Sequence, residues 1–243
     1  MMQPPTPLVQ SSPRPLLRKV EHPDNSPVLT HFCDRNRPRR KDVPDYIYSL
    51  RPEDRLETIL WDQALRGFVP FSGGYPSVGL TESTPRQGLP FLIRDRGYHP
   101  WGLVFDRQSV FDAGGGPVWH ARLDQWNKIK QLNDPDLRSW ALRLDPASDS
   151  DWLEEREWRI PRPPIPDQSS APPSCVVPLR ELGLVALLVG NPSWNGVRVT
   201  NAIAVATGQL THGPFFPLVL PPGLPRWWWN PTVGQIQALH PLF

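Results

Sequence analysis

Proline is the residue that most limits what this chain can fold into. The 243-residue sequence contains 33 prolines, well above ordinary usage. Proline lacks the backbone N–H and its ring clashes with the preceding helical turn, so helix interiors exclude it. The sequence therefore predicts helices that are few or short, joined by many irregular segments.

Length, charge and cysteine content define the class of protein only broadly. A chain of this length can form one large domain or two small ones, and we interpret it as one domain. A formal net charge of +2 is too small to indicate nucleic-acid binding by itself. The two cysteines, Cys33 and Cys175, match no zinc or redox spacing. Since the sequence shows neither a membrane-length apolar run nor a secretion signal, we expect a cytoplasmic protein without a membrane partner.

Three regions differ in composition. Residues 1–27 are rich in proline, serine and charge, which predicts a disordered tail. Residues 28–190 carry the patterns of short strands and helices, including one helix that begins near Pro52 and ends at Gly67. Residues 191–243 alternate proline, glycine and tryptophan. There we expect an irregular extension packed on the core, with short helices near "TNAIAVATG" and "TVGQIQALH".

The segment "DWLEEREWRIP" (151–161) holds two glutamates at a spacing of two residues. A helix gives this segment no apolar stripe, whereas a strand separates its two kinds of side chain. Trp158 and Ile160 then share one face, and Glu155, Glu157 and Arg159 share the other. Adjacent like charges are unfavourable unless a cation or a substrate compensates them. The pattern thus indicates either a solvated face neutralised by an arginine or the wall of an active site.

Two other segments are candidates for binding. The segment "DRNRPRRK" (34–41) is either a solvated loop or a phosphate-contacting patch for NAD, DNA or RNA. It concentrates five cations, namely Arg35, Arg37, Arg39, Arg40 and Lys41. In "PRWWWNP" three tryptophans are consecutive, so an extended chain turns at least one away from the core. That tryptophan either packs in the C-terminal region or stacks on a base or a partner.

Several motifs occur together in a set order: "LTHF", "ILWDQALRGF", "VGLTES", "YHPWGLVF", "GPVWHA" and "EREWR". In this order they resemble the ADP-ribosyltransferase-like proteins of bacterial toxin–antitoxin and abortive-infection systems, the DarT and AbiGi-like group. The resemblance covers about residues 28–190. It implies an α+β fold in which split mixed β-sheets surround a cleft, with few short helices.

The resemblance also implies roles for individual residues. The second acid of a Glu-x-Glu strand is catalytic in the family, which corresponds to Glu157, while Glu155 orients the acceptor or holds a neighbouring loop. Four residues are implied to contact NAD or brace its site: His31, Thr81, Ser83 and Tyr98, with Trp101 as the alternative to Tyr98. His31 stands where an arginine would make a stronger nucleotide ligand, and Thr81-Glu82-Ser83 replaces a Ser-Thr-Ser triplet.

The sequence hypothesis is an NAD-dependent ADP-ribosyltransferase that acts as a bacterial toxin or phage-defence effector. NAD is its substrate, no metal is required, and a nucleic acid is the favoured acceptor because of the arginine-rich segment. The alternative is a non-catalytic module that binds nucleic acid or a protein within a defence or toxin–antitoxin system. An antitoxin or another protein of the same system is an expected partner.

Overall fold

The computed structural model describes residues 26–36, 43–148, 150–165, 173–196, 202–204, 209–211 and 220–239. Over these residues the chain is a mixed α+β fold with about 30% helix and 34% strand. The predicted class is confirmed in these terms. The tail predicted as disordered lies, up to residue 25, outside the described residues. In the part of the chain that is described, no helix has the length and apolar character that crossing a membrane requires.

The helices are short, as the proline content predicts. They are α1 (Asp45–Tyr48), α2 (Pro52–Asp62), α3 (Gly88–Asp95), α4 (Arg107–Asp112), α5 (Leu123–Gln131) and α6 (Pro135–Trp140). The strands up to the middle of the chain are β1 (Val28–Phe32), β2 (Ala64–Phe68), β3 (Ser77–Thr81), β4 (Gly102–Asp106), β5 (Gly116–Pro117), β6 (Trp119–Arg122) and β7 (Ala141–Leu144). The later strands are β8 (Glu157–Pro161), β9 (Ser174–Pro178), β10 (Leu184–Val189), β11 (Ala202–Ala204), β12 (Gln209–Thr211), β13 (Arg226–Asn230) and β14 (Gln235–Leu239).

Helix α2 begins as the sequence predicts but ends earlier. Pro52 occupies its first turn, and Leu56 and Leu60 bury its apolar side. The predicted end at Gly67 is wrong, because Gln63 adopts a left-handed conformation with φ of 52° and closes the helix. Strand β2 follows directly, and Gly67 lies inside it.

Ten strands form the main sheet. Eight of them follow the order β14-β13-β10-β4-β1-β3-β2-β9, while β8 pairs with β3 and β5 pairs with β8. The pairs are antiparallel except for β10 with β13, so the sheet is mixed. Strands β6 and β7 form a separate parallel pair connected through α5 and α6.

Strand β3 is the branch point of the main sheet. Along one edge it pairs with β8 over all five residues. Its other edge meets β1 only where Thr30 faces Thr81 and meets β2 only where Phe68 faces Ser77. The β1 and β2 halves of the sheet therefore diverge from a shared central strand.

The main hydrophobic core lies on one face of this branched sheet. Trp158 and Ile160 of β8 are buried there, as their alternation in the sequence predicts. Leu56 of α2 and Phe105 of β4 belong to the same cluster, each completely buried. Burial of one such side chain contributes about 1.5 to 3 kcal/mol, so this cluster holds β8 firmly in place.

The C-terminal region is more regular than the sequence predicts. The helices expected near "TNAIAVATG" and "TVGQIQALH" are wrong, since 202–204 and 235–239 are strands β11 and β14. These segments are too short to form stable isolated helices, and pairing with β12 and β13 satisfies their backbone instead. In "RWWWN", Trp229 is buried and Trp228 packs against the core, which favours packing over an exposed tryptophan.

Candidate functional site

Strand β8 begins at the second of the two glutamates. Glu157 is its first residue and pairs with Thr81 of β3. Glu155 instead ends a short 3₁₀ turn, and Arg156 between them is left-handed, with φ of 45°. The expectation that both glutamates share one strand face is therefore wrong. The left-handed residue breaks the period-two alternation before the strand starts.

Arg159 of the same strand forms a bidentate salt bridge with the Glu157 carboxylate. Arg159 donates from Nε to Oε1 at 2.7 Å and from Nη2 to Oε2 at 3.2 Å. Its Nη1 donates to the Ser72 hydroxyl at 2.9 Å and to the Ser139 carbonyl at 2.8 Å. The Arg159 side chain is only 3% exposed, whereas Glu157 is 21% exposed. A buried, fully engaged guanidinium thus holds a carboxylate that still reaches the surface.

His31 lies where the sheet divides. Its Nδ1 donates to the backbone carbonyl of Gly79 at 2.8 Å, beyond the point where β1 pairs with β3. This side-chain bond satisfies the Gly79 carbonyl at a point where β1 no longer pairs with β3. Since a carbonyl only accepts, Nδ1 carries the proton and Nε2 of the neutral ring is an acceptor. Burial lowers the pKa of His31 and the bond to Gly79 only partly offsets this, so the ring is neutral at pH 7.

Gly79 is a neighbour of both His31 and Glu157, through different atoms. It lies in the middle of β3, and a Cβ added there would be 3.9 Å from Glu157 Oε1 and within 4 Å of no other described atom. Its φ is not in the left-handed region. Glycine inside a strand weakens it, and neither crowding nor backbone conformation requires glycine here. Such a position is typical of a place where a ligand approaches the backbone closely.

Glu155 is used differently from Glu157. Arg35 donates from Nη1 to Glu155 Oε1 at 2.5 Å, and the two side chains are 11% and 12% exposed. Arg35 also donates from Nε to the Arg96 carbonyl at 3.1 Å. This pair ties the segment after β1 to the turn before β8. Of the two roles implied for Glu155, the geometry matches the one that holds a neighbouring loop.

Tyr98 belongs to the same structural cluster as Arg35. The Arg35 guanidinium carbon lies 4.7 Å from the Tyr98 ring centre and 5.2 Å from that of Trp152. Arg35 Nη1 also donates to the Tyr98 hydroxyl at 3.3 Å, and Phe32 packs on its ring at 4.7 Å. These contacts engage the Tyr98 ring in packing. Trp101 is buried and contacts Trp194, so it too serves the core.

Thr81 and Ser83 brace the turn that precedes β8. The Thr81 hydroxyl donates to the Glu155 carbonyl at 2.6 Å and accepts from the Ser83 backbone N–H at 3.0 Å. The Ser83 hydroxyl donates to the Glu154 carbonyl at 3.5 Å. Both side chains are buried. Their contacts support the position of Glu157 from the neighbouring strand.

The other cations of the arginine-rich segment, Arg37, Arg39, Arg40 and Lys41, lie outside the described residues. Arg35 is the one member that the structure describes, and it faces Glu155 in a largely buried ion pair. Within the described ranges, no group of three or more His, Cys, Asp or Glu side chains is arranged to hold a metal ion.

Two residues of this site were not singled out by the sequence. The sequence indicates Arg159 only as a neutralising charge, although its spacing of two from Glu157 places both side chains on one strand face. Gly79 gave one signal, an isolated glycine inside the strand pattern "SVGLT". Its contacts with His31 and Glu157 depend on strand pairing. We define the carboxylate site as His31, Gly79, Glu157 and Arg159.

Comparison with known proteins yields no relative from which a function can be transferred. Neither the protein-family models, nor the curated proteins, nor the solved structures contain a match to this chain. The function must therefore be argued from the carboxylate site itself.

Proposed function

We propose that the protein is an NAD-dependent ADP-ribosyltransferase. The observation that carries this proposal is that His31 and Glu157, from strands distant in sequence, approach the same glycine at the branch of the sheet. A neutral imidazole, an exposed backbone position and an oriented carboxylate are the groups expected where a ribose must be bound and its developing cation stabilised. The motif order that resembles ADP-ribosyltransferase-like proteins supports the same reading.

In the proposed reaction the bond between ribose C1′ and the nicotinamide nitrogen breaks. Its electron pair leaves with nicotinamide, and C1′ becomes oxocarbenium-like. An acceptor atom of a macromolecule then bonds to C1′ and releases its proton to solvent. ADP-ribosylated acceptor, nicotinamide and one proton are the products, and no further reactant is needed.

Glu157 acts in this proposal as a fixed anion rather than as a freely moving base. Arg159 occupies one acceptor position on each oxygen, and a carboxylate has about four such positions. The remaining ones accept from a ribose hydroxyl or face the cationic carbon. His31 accepts from a second hydroxyl through Nε2. Gly79 leaves open space for the sugar beside Glu157.

A nucleic-acid acceptor and a role as a bacterial toxin or phage-defence effector remain the favoured biological setting. The described residues support the proposed chemistry more directly than this biological setting, because most of the arginine-rich segment lies outside them. A non-catalytic binding module is the competing function. It predicts nucleic-acid or protein binding without nicotinamide release in any mixture.

The test is nicotinamide release from NAD by the full chain, alone and with DNA, RNA or cell lysate. We expect Glu157→Gln to reduce release at least about 100-fold, the loss typical when one electrostatic group of an active site is removed. Glu181→Gln is the matched control, since Glu181 is exposed and its partner Arg162 is 3.8 Å away. This control should release nicotinamide at the wild-type rate.

Folding must be separated from chemistry in this experiment, because Glu157→Gln also alters the contact with Arg159. Circular dichroism and thermal unfolding of both variants provide that separation. Glu157→Asp retains the charge and should regain part of the activity. Full activity of a folded Glu157→Gln variant would contradict the proposal, as would a folded wild-type protein that releases no nicotinamide with any addition.

A further inference from the structure

The turn between β2 and β3 carries the most exposed large apolar side chain of the described residues. Phe71 is 86% exposed at its tip. The turn is closed by the Gly73 N–H, which donates to the Pro70 carbonyl at 2.8 Å. Exposed apolar side chains are common when scattered singly. This one differs because of what the rest of the turn contacts.

The buried side of this turn is hydrogen-bonded to the carboxylate site through Ser72. Ser72, the residue after Phe71, is buried, and its hydroxyl accepts from Arg159 Nη1 at 2.9 Å. The same guanidinium donates to Glu157 at 2.7 Å. Since the guanidinium is planar and small, the Ser72 hydroxyl is no more than about 8 Å from the Glu157 carboxylate. The exposed ring therefore belongs to a turn that is bonded to the arginine of the carboxylate site.

A second set of contacts limits movement of the turn. The Tyr75 N–H donates to the Ser139 hydroxyl of α6 at 2.7 Å. Gly74, with φ of 92°, passes so close to α6 that an added Cβ would lie 2.5 Å from the Pro135 carbonyl oxygen. These contacts restrain the backbone of the turn, so little backbone conformational entropy is left to lose when Phe71 meets a ligand.

We propose that Phe71 is an acceptor-contacting residue that stacks on a base of single-stranded nucleic acid next to the carboxylate site. A phenylalanine ring has no hydrogen-bonding group, so it selects a flat apolar face. Bases of any sequence supply such a face. For its chemical consequence this inference rests on the proposed transferase function, but the binding itself does not.

The surroundings of Phe71 favour a base over a protein surface. Phe71 is the one large apolar side chain of the turn that is largely exposed, because Val69 and Pro70 before it are partly buried and residues 72–74 after it are polar or small. Protein interfaces bury about 800 Å² on each partner around clustered apolar residues, which a single projecting ring does not provide.

The adjoining helices offer charge of both signs. Arg138 of α6 donates to the Lys130 backbone carbonyl of α5 at 2.6 Å, so each helix carries a cationic residue here, while Asp134 and Asp136 lie at the start of α6. Phosphate contacts by these cations are therefore partly opposed. Stacking is expected to account for most of the affinity contributed by this surface, and the effect of Phe71 should persist at raised salt.

The experiment measures fluorescence anisotropy of labelled single-stranded DNA and RNA of mixed sequence, about 20 nucleotides long so that the strand covers an ordinary binding site. NAD is left out. We expect Phe71→Ala to raise the Kd about 5- to 150-fold, the range for loss of one base–aromatic stack. Phe71→Trp should retain binding. Leu132→Ala is the matched control, because Leu132 is 64% exposed at the end of α5 and should leave the Kd unchanged.

Equal binding by wild type and Phe71→Ala would overturn the inference, and so would a wild-type protein that binds neither strand. Protein acceptors labelled equally by wild type and Phe71→Ala, with no oligonucleotide bound, would have the same meaning. Nicotinamide release by the wild type reports separately on the transferase proposal. The two experiments therefore test the binding inference and the transferase proposal independently.

Discussion

Arg159 donates hydrogen bonds to both carboxylate oxygens of Glu157, at 2.7 and 3.2 Å, from two residues further along the same strand. The guanidinium is itself fixed by the Ser72 hydroxyl and by the Ser139 backbone carbonyl near the end of α6. A bidentate pair of this kind sets the direction of the carboxylate as well as its charge. Glu157 is therefore held in one orientation before any ligand arrives.

Arg159→Lys should separate orientation from charge. Lysine keeps the positive charge but cannot bind both oxygens, so we expect kcat for nicotinamide release to fall about 10- to 100-fold with little change in KM. The variant should also unfold more easily, by about 3 kcal/mol, because a buried pair is weakened. Urea unfolding and steady-state kinetics measure the two effects. Arg122→Lys, in the exposed pair with Asp124, should change stability by less than about 1 kcal/mol.

Gly79 should show opposite effects on stability and on activity. Gly79→Ala places a methyl group 3.9 Å from Glu157 Oε1, an ordinary contact, and should stabilise the fold by about 0.5 to 1 kcal/mol. Gly79→Val suits a strand still better but fills the space proposed for the sugar. From glycine to alanine to valine, we therefore expect the unfolding temperature to rise and the rate of nicotinamide release to fall. A more stable Gly79→Val variant with full activity would remove the reason for placing a ligand there.

Glu155 should matter for stability rather than for chemistry. Glu155→Gln breaks a pair with Arg35 in which both side chains are nearly buried, so we expect the free energy of unfolding to fall by about 2 to 4 kcal/mol. At a temperature where the variant is folded, its kcat should stay close to wild type. The exposed Arg94–Asp95 pair provides the control, since Asp95→Asn should cost less than about 1 kcal/mol. A folded Glu155→Gln variant without activity would assign Glu155 to the chemistry after all.

Stability should decrease as pH rises from about 4.5 to about 7 because of Glu57. Burial raises the pKa of Glu57 from 4.5 to about 7, and the hydrogen bond that it accepts from Trp194 at 3.1 Å only partly opposes this. In that window the folded protein binds more protons than the unfolded chain. Glu57 therefore stabilises the fold fully below pH 4.5, and this stabilisation, up to about 3 kcal/mol, is lost as pH rises through 7.

Urea unfolding at a series of pH values tests this prediction. Glu57→Gln keeps an acceptor for Trp194 without ionising, so the variant should be more stable than wild type at pH 8 and about equal at pH 4.5. Other contributions should remain, because burial also raises the pKa of Asp62 to about 6, which gives a slope of the same sign, and lowers the pKa of His31, which gives a slope of the opposite sign. An unchanged slope in Glu57→Gln would assign the pH dependence to other groups.

Several elements could be predicted from the sequence because their signals are local. Apolar alternation predicted which face of β8 would hold Trp158 and Ile160, and a first-turn proline marked the start of α2. The errors occurred where tertiary contacts override local preference. Gln63 adopts a left-handed conformation that ends α2 early, and residues 235–239 form a strand because they pair with β13.

For the site, the sequence by itself determined the chemical groups and one spacing: a glutamate and an arginine two residues apart on one strand face. Tertiary structure decided what surrounds them. The contact between His31 and Gly79 spans 48 residues, and the contact between Ser72 and Arg159 spans 87. Such contacts arise only when distant strands pair and the sheet divides at β3. No local periodicity encodes that geometry, because it depends on which strand edges remain free after the core has formed.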